Sequence, residues 1–262
     1  MLFRSDVVLV DLDKNEKLDR VQADLALVLG GDGSILHAAH QMGYRQLPVI
    51  GVNLGTLGFL ADLSLAEFVQ HLPRIAGGDY RVTEHLMFEV TFELPGEMCP
   101  IPLLGLNDVS IQTGAPFSMM RLDLVVEGEK VATYSGDGVI IATPVGSTAH
   151  ALSAGGPILG QELNAFSIVP LCAHGLTSRP VVDSSEKIYT IEVKRAAAAY
   201  AIVDGRGTEA QRLPEGSRVT VRRAPVKFKV ARCAGKSYYR TLYEKLSWGA
   251  GPSYRPEPTR PS

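Results

Sequence analysis

Gly30-Gly31-Asp32-Gly33-Ser34 most restricts how this chain can fold, because it sets a carboxylate in a glycine-rich turn between an apolar run and a helix-like stretch. Leu25 to Leu29 reads as a short buried strand, and Ser34 to His40 reads as the start of a helix. Such a turn collects backbone N–H groups at the positive end of a helix dipole, where an anion is stabilised. It is not a P-loop, which has the form G-x-x-x-x-G-K-[ST] and holds phosphates with its lysine. Nor is it the dinucleotide fingerprint G-x-G-x-x-G, since Leu36 takes the place of the third glycine. A carboxylate beside phosphates is repulsive unless it binds Mg²⁺ or accepts a proton from an attacking hydroxyl, so the turn suggests phosphoryl transfer. A tight turn whose aspartate caps the helix explains the same five residues, and both readings stand at this point.

The chain has 262 residues, 45% of them hydrophobic and 21% charged, enough to bury a substantial core in one or two domains. A formal net charge of -2 offers no basic footprint for nucleic acid. No apolar run approaches the ~20 residues needed to span a bilayer, so no membrane partner is expected. Met1 to Asp6 lacks the charged start and apolar stretch of a signal peptide, which makes the cytoplasm the expected location. Cys99, Cys172 and Cys233 are far apart and lack C-x-x-C spacing, so they indicate neither a disulfide framework nor a zinc site.

The texture changes near residue 80. Before it, apolar strands (Val7 to Val10, Leu25 to Leu29, Leu47 to Val52) alternate with helix-like segments, and Ser64 with Glu67 three positions on reads as a capping box opening a further helix. After Gly77-Gly78, strand-like segments dominate: Phe88 to Leu94, Leu122 to Val126, Val139 to Ala142, Ile188 to Val193, Arg218 to Arg222 and Val226 to Val230. Turns such as Glu127-Gly128-Glu129 separate them. The expected architecture is an abbreviated, Rossmann-like α/β domain over residues 1–78, then an all-β, sandwich-like domain over 79–248. Residues 249–262, with Pro252, Pro256, Pro258 and Pro261 in the stretch after Trp248, read as a disordered tail.

Three polar clusters interrupt the β-rich half. Asn107-Asp108 offers both donors and acceptors, as a base edge or a ribose diol requires, although an Asn-Asp turn before a strand is the commoner origin of such a pair. Asp137-Gly138 leads through a strand to Pro144-Val145-Gly146-Ser147-Thr148-Ala149-His150-Ala151-Leu152-Ser153-Ala154-Gly155-Gly156-Pro157. A capped turn explains Ser147 or Thr148 but not the glycines on both sides, which suit backbone approach to a ligand. His150 also fits an ordinary surface histidine, since nothing in the local sequence ties it to a ligand. Val203-Asp204-Gly205-Arg206 reads as a hairpin turn rather than a ligand contact.

Together these segments resemble the NAD kinase family, enzymes that phosphorylate the 2′-hydroxyl of the adenosine ribose of NAD to make NADP. The resemblance rests on Gly30 to Ser34, Val52 to Leu60, Asn107-Asp108, Asp137 to Pro157 and Ser178-Arg179-Pro180, and spans about Leu25 to Arg206. Diacylglycerol kinases, sphingosine kinases and phosphofructokinases share a similar GGDG loop. The other segments look like NAD-binding elements and narrow the acceptor.

The resemblance implies that Asp32 accepts the proton of the 2′-hydroxyl, with Gly33 allowing close backbone approach. It implies that Asn107 and Asp108 hold the dinucleotide, that Asp137 lies near the nicotinamide half, and that Thr148, Ala149, His150 and Ser153 wrap the bound NAD. His37 falls where many relatives carry a basic residue facing phosphate. No residue is assigned as a metal ligand; Mg²⁺ or another divalent cation is expected on the phosphates of the donor, ATP or polyphosphate. A homodimer or homotetramer through the β-rich domain is implied, with a neighbouring subunit completing each site.

The chain departs from the family pattern in places. Relatives usually have Tyr at the position of His150 and Gln at that of Arg206, and follow 173–180 more closely, so no role is carried to Arg206 or 173–180. Only 29 residues precede Gly30, so the first α/β unit is expected to be abbreviated and the donor-nucleotide surface altered. That abbreviation motivates an alternative, an inactive NAD-binding sensor or assembly protein. The shared GGDG loop motivates another, a lipid or sugar kinase.

Overall fold

The computed structural model describes residues 6–14, 16–55, 58–96, 102–175, 177–233 and 238–247. In chain order the elements are β1 (Ala26–Leu29), α1 (Asp32–Met42), β2 (Pro48–Asn53), β3 (Leu63–Ser64), α2 (Leu65–Ala76), β4 (Arg81–Glu93), β5 (Leu103–Gly105) and β6 (Asp108–Thr113). There follow β7 (Met120–Val126), β8 (Glu129–Gly136), β9 (Gly138–Ala142), α3 (His150–Ser153), β10 (Ala165–Leu171) and β11 (Val181–Ser184). The last are β12 (Tyr189–Arg195), β13 (Ala199–Val203), β14 (Gln211–Arg212), β15 (Arg218–Arg232) and α4 (Tyr238–Leu246).

The N-terminal part is α/β. β1 and β2 pair in parallel, Ala26 opposite Val49 and Leu29 opposite Val52, with α1 as the crossover. Alternate residues of β2 serve the two faces of the sheet: Val49 packs with Ile35, Ala39 and Met42 of α1, whereas Ile50 and Val52 pack with Ile75 of α2. A parallel strand covered on both sides reads as a continuous apolar run, which is what residues 47–52 show. α2 starts at the expected capping box: Ser64 Oγ accepts from Glu67 N–H, and the Glu67 carboxylate accepts from Ser64 N–H.

The remaining strands form a sandwich. One nine-stranded sheet runs in the order β1-β2-β15-β12-β7-β8, with β3 beside β2, β4 beside β15 and β5 beside β4; a six-stranded sheet runs β11-β10-β9-β6-β13-β14. Between them lies an apolar core that includes Phe88, Val109, Ile141, Phe166, Tyr189 and Val221, all 1% exposed or less. Phe166 and Tyr189 meet edge to face at 5.8 Å, a favourable aromatic geometry. The first sheet carries strands from both halves of the chain: β15 pairs antiparallel with β4 and, at its far end, in parallel with β2.

Three local readings are corrected. Val7 to Val10 forms no strand; it lies exposed, Val7 at 78%, because no neighbouring strand among the described residues supplies a hydrogen-bonding edge. Arg218 to Arg222 and Val226 to Val230 are one strand, β15, with its register to β4 shifting between Arg223 and Lys227 around Pro225. α1 begins at Asp32 rather than Ser34, because Gly31 is extended and takes the N-cap position. Trp248 and residues 249–262, read as the end of the β-rich domain and a tail, lie outside the described residues, as does Cys99. None of the described helices is long and apolar enough to cross a membrane.

Candidate active site

Asp32 sits at the first helical position of α1, where a negative charge is favoured by the dipole. Its carboxylate is fixed by the segment that follows β2 in the chain and packs on the same face as α1. Oδ2 accepts from Phe59 N–H at 2.8 Å, and Oδ1 accepts from Leu60 N–H at 2.9 Å and Ala61 N–H at 3.1 Å. Those donors belong to the Gly58-Phe59-Leu60-Ala61 run, so the two glycine-containing motifs of the N-terminal part meet through one side chain. Gly58 is required there, since a Cβ would stand 2.1 Å from Asp32 Oδ1. A carboxylate offers about four lone-pair sites, and three are filled, which leaves one on Oδ2. The side chain is 31% exposed, and the space above Gly33 is open, since a Cβ there would meet nothing within 4 Å. Lys245 Nζ stands 3.8 Å from Oδ2, and Lys14 Nζ lies 3.4 Å from Ser34 Oγ.

Asn107 and Asp108 lie at the entry to β6 and are held by a residue far along the chain. The buried Asp204 carboxylate accepts from Leu106 N–H at 2.8 Å, Asn107 N–H at 2.6 Å and Asp108 N–H at 3.0 Å. His40 Nε2, on α1, is 2.8 Å from Asp204 Oδ2. The expected turn at residues 203–206 is present, closed by Arg206 N–H to Val203 O at 3.0 Å with φ positive at Asp204 and Gly205. Asp204 does more than turn the chain: it couples α1 to the 106–108 loop. Burial pushes the Asp108 carboxyl up to about 7, and the charge of Asp204 adds to the effect.

The segment after β9 packs against this loop. Thr143 Oγ1 donates to Leu106 O at 2.6 Å, and Thr143 N–H donates to Asn107 O at 2.9 Å. Gly146 approaches so closely that a Cβ would lie 1.9 Å from Asn107 O. Ser147 and Thr148 do not cap the following helix as expected; their hydroxyls donate back to Pro144 O and Val145 O. Ser147 Oγ also accepts from Leu159 N–H at 3.0 Å, which closes the 147–159 loop. His150 and Ser153 of α3 are exposed and Thr148 and Ala149 half-buried, so this wall carries side chains open to a ligand.

Two residues stand apart. Asp137 lies at the opposite end of β9, whose five residues span about 16 Å. His37 is about 140° around α1 from Asp32 by helix geometry; its Nε2 is 2.8 Å from Lys14 O, and it lines a cleft of about 440 Å³ with His40, Tyr44, Phe92 and Arg206. Sequence reasoning misses Asp204 and Lys245, whose partners are remote along the chain. No group of three or more His, Cys, Asp or Glu among the described residues is placed to hold a metal ion.

The arrangement combines a pinned carboxylate with one open lone pair, Lys245 3.8 Å from it and a polar wall from a second sheet, which suits proton acceptance next to a charged group in transfer. Comparison with known proteins agrees. The family model of the ATP-NAD kinase N-terminal domain matches residues 10–80, and that of the ATP-NAD kinase C-terminal domain matches residues 106–233. Among curated relatives, the NAD kinase of Rhodopirellula baltica is 44% identical over 93% of this chain and 78% of its own length. That of Geobacter sulfurreducens is 41% identical over 87% and 80%. A crystal structure of yeast NADH kinase complexed with NADH superposes with a TM-score of 0.83 at 27% identity, covering 89% of this chain and 68% of that one. An NAD kinase from Archaeoglobus fulgidus in complex with ATP gives 0.73 at 25% identity, covering 88% and 86%.

Proposed function

The chain belongs to the NAD kinase family, and from that premise we propose that its site transfers a phosphoryl group to the 2′-hydroxyl of the adenosine ribose of NAD, producing NADP. The observation that carries the proposal is the Asp32 carboxylate, held by three backbone N–H groups with a lone pair of Oδ2 left over. In the reaction, the 2′-oxygen attacks the terminal phosphorus of the donor in line. The new O–P bond forms as the bond to the leaving phosphate breaks, the leaving oxygen takes that electron pair, and the hydroxyl proton passes to Asp32 Oδ2. In a loose transition state the proton leaves late, so the fixed orientation of Asp32 matters more than its basicity.

Asn107 and Asp108 hold the dinucleotide, and Thr148, Ala149, His150 and Ser153 form the wall along it. The support is the contact of both segments through Thr143 and Gly146. His37 takes a secondary part, since its ring is turned from Asp32 towards Lys14. ATP is the favoured donor, as the matched domain families are named for it and the Archaeoglobus enzyme was solved with it. Mg²⁺ bound to the donor phosphates supplies charge neutralisation, consistent with its preference for phosphate oxygens and few protein ligands. The reading includes a homodimer or homotetramer, in which a neighbouring copy would complete the site near Asp137, at the far end of β9 from Asn107.

The test is NADP formation by purified protein given Mg²⁺ and either ATP or polyphosphate, with NAD, NADH, a diacylglycerol or a sugar phosphate as acceptor. NADP with NAD supports the reading and names the donor. Saturable NAD binding without NADP would favour the sensor, and label transferred only to lipid or sugar would favour the other kinase.

A further inference from the structure

Lys245 is the feature of the site that the transfer scheme does not yet use. It lies in the last turn of α4, more than 200 residues from the glycine-rich loop, yet its Nζ reaches Asp32 Oδ2 to within 3.8 Å. The same ammonium sits over the Phe59 ring, 4.3 Å from the centroid. Phe59 thus fixes both members of the pair, since its N–H also donates to Asp32 Oδ2. α4 is anchored independently: Thr241 and Leu242 are buried, and Tyr238 Oη donates to Leu159 O at 3.1 Å. The side chains of Lys245 and Asp32 are 28% and 31% exposed, so both remain partly open to solvent.

At 3.8 Å the pair is too long for a direct hydrogen bond. The ammonium keeps its three N–H groups free of Asp32, and a cation over an aromatic face is held in place without being neutralised. P-loops supply phosphate charge with a lysine inside the loop; here Asp32 occupies the glycine-rich loop and repels phosphate. Lys245 brings the missing cation from a distant helix to the oxygen where the repulsion is greatest.

We propose that Lys245 is a catalytic cation of the phosphoryl transfer, its ammonium contacting the non-bridging oxygens of the group in transit beside Asp32. This rests on the kinase reading above. Lys245 keeps its protons throughout: the 2′-hydroxyl proton goes to Asp32, and the ammonium offsets charge on the transferring phosphoryl without forming a bond to phosphorus.

The test uses the full chain. Lys245→Met is expected to lower kcat by about 100-fold, in the range seen for loss of a preorganised charge donor, with KM for NAD changed less than about threefold. Lys245→Arg should recover at least a tenth of the wild-type kcat. Glu244→Gln, the neighbour on α4, controls for the helix and should leave kcat within twofold, while melting temperatures check that each variant folds. A cycle with Asp32→Asn separates direct contact from positioning: the proposal requires Lys245→Met to lower the residual rate again in the Asp32→Asn background. No further loss there would show that Lys245 acts only through Asp32 and would overturn it, as would a folded Lys245→Met enzyme within threefold of wild-type kcat. Absence of NADP formation by the wild type would instead remove the kinase reading itself.

Discussion

His40 Nε2 and Asp204 Oδ2 meet at 2.8 Å, and this contact joins the helix that starts with Asp32 to the loop that carries Asn107 and Asp108. The Asp204 side chain is fully buried, and its two oxygens take all three N–H groups of residues 106–108. Two separate parts of the site are therefore held in one register by a single carboxylate.

Asp204→Asn should damage both stability and substrate binding. An amide has one acceptor oxygen, so at least one buried N–H of the 106–108 loop would face an N–H donor. A loss of about 2–4 kcal/mol in unfolding free energy is expected, as for a buried charge-assisted network, with KM for NAD rising more than kcat falls. Denaturant melts and steady-state kinetics check this.

Asp108 gives a pH signature. Its carboxyl titrates at about 7 in the fold against 3.8 in the open chain, so the native state binds the extra proton between those values. Its contribution to stability is fully present below about 3.8 and is lost as pH rises through 7. Asp108→Asn should raise the melting temperature at about pH 8 by a few degrees and change it little at about pH 4, an effect readable by thermal melts.

His85 acts in the opposite sense. Burial, reinforced by Arg232, pulls its imidazole down to about 4 from the usual 6.5. Stability from the neutral ring is present above 6.5 and is lost as pH falls towards and through 4. His85→Gln should flatten the acid limb of the stability curve, and the flattening should be clearest in the Asp108→Asn background, where the opposing carboxyl is gone.

Gly58→Ala is expected to lower kcat at least tenfold while costing about 1–3 kcal/mol of stability, because the new Cβ collides with Asp32 Oδ1 at 2.1 Å. A rate loss much larger than the stability loss, measured on the same preparation, distinguishes displacement of Asp32 from simple unfolding.

What the chain discloses on its own follows the range of the interactions concerned. The Ser64–Glu67 capping box and the Glu127-Gly128 turn are legible because each closes within a few residues. Val7 to Val10 has the pattern of a strand without being one, because an apolar run becomes a strand only where a partner edge exists, which no local pattern reports. The two pieces of β15 are legible as strands but not as one, since Pro225 looks like a break and only the pairing with β4 carries the strand past it. In the site, the GGDG turn and Asn107-Asp108 stand out by composition. Asp204 and Lys245 do not, because an Asp-Gly turn and a lysine on a polar helix are ordinary until the fold brings them to partners far along the chain.

In the proposed transfer the pinned Asp32 carboxylate takes the 2′-hydroxyl proton. The most direct measurement is turnover of NAD to NADP by Asp32→Asn beside the wild type, with NAD affinity of both determined by calorimetry. The expected result is NAD affinity within a few-fold of wild type and kcat lower by about 10² or more. An Asp32→Asn enzyme that binds NAD normally and turns over at a near-wild-type rate would contradict it.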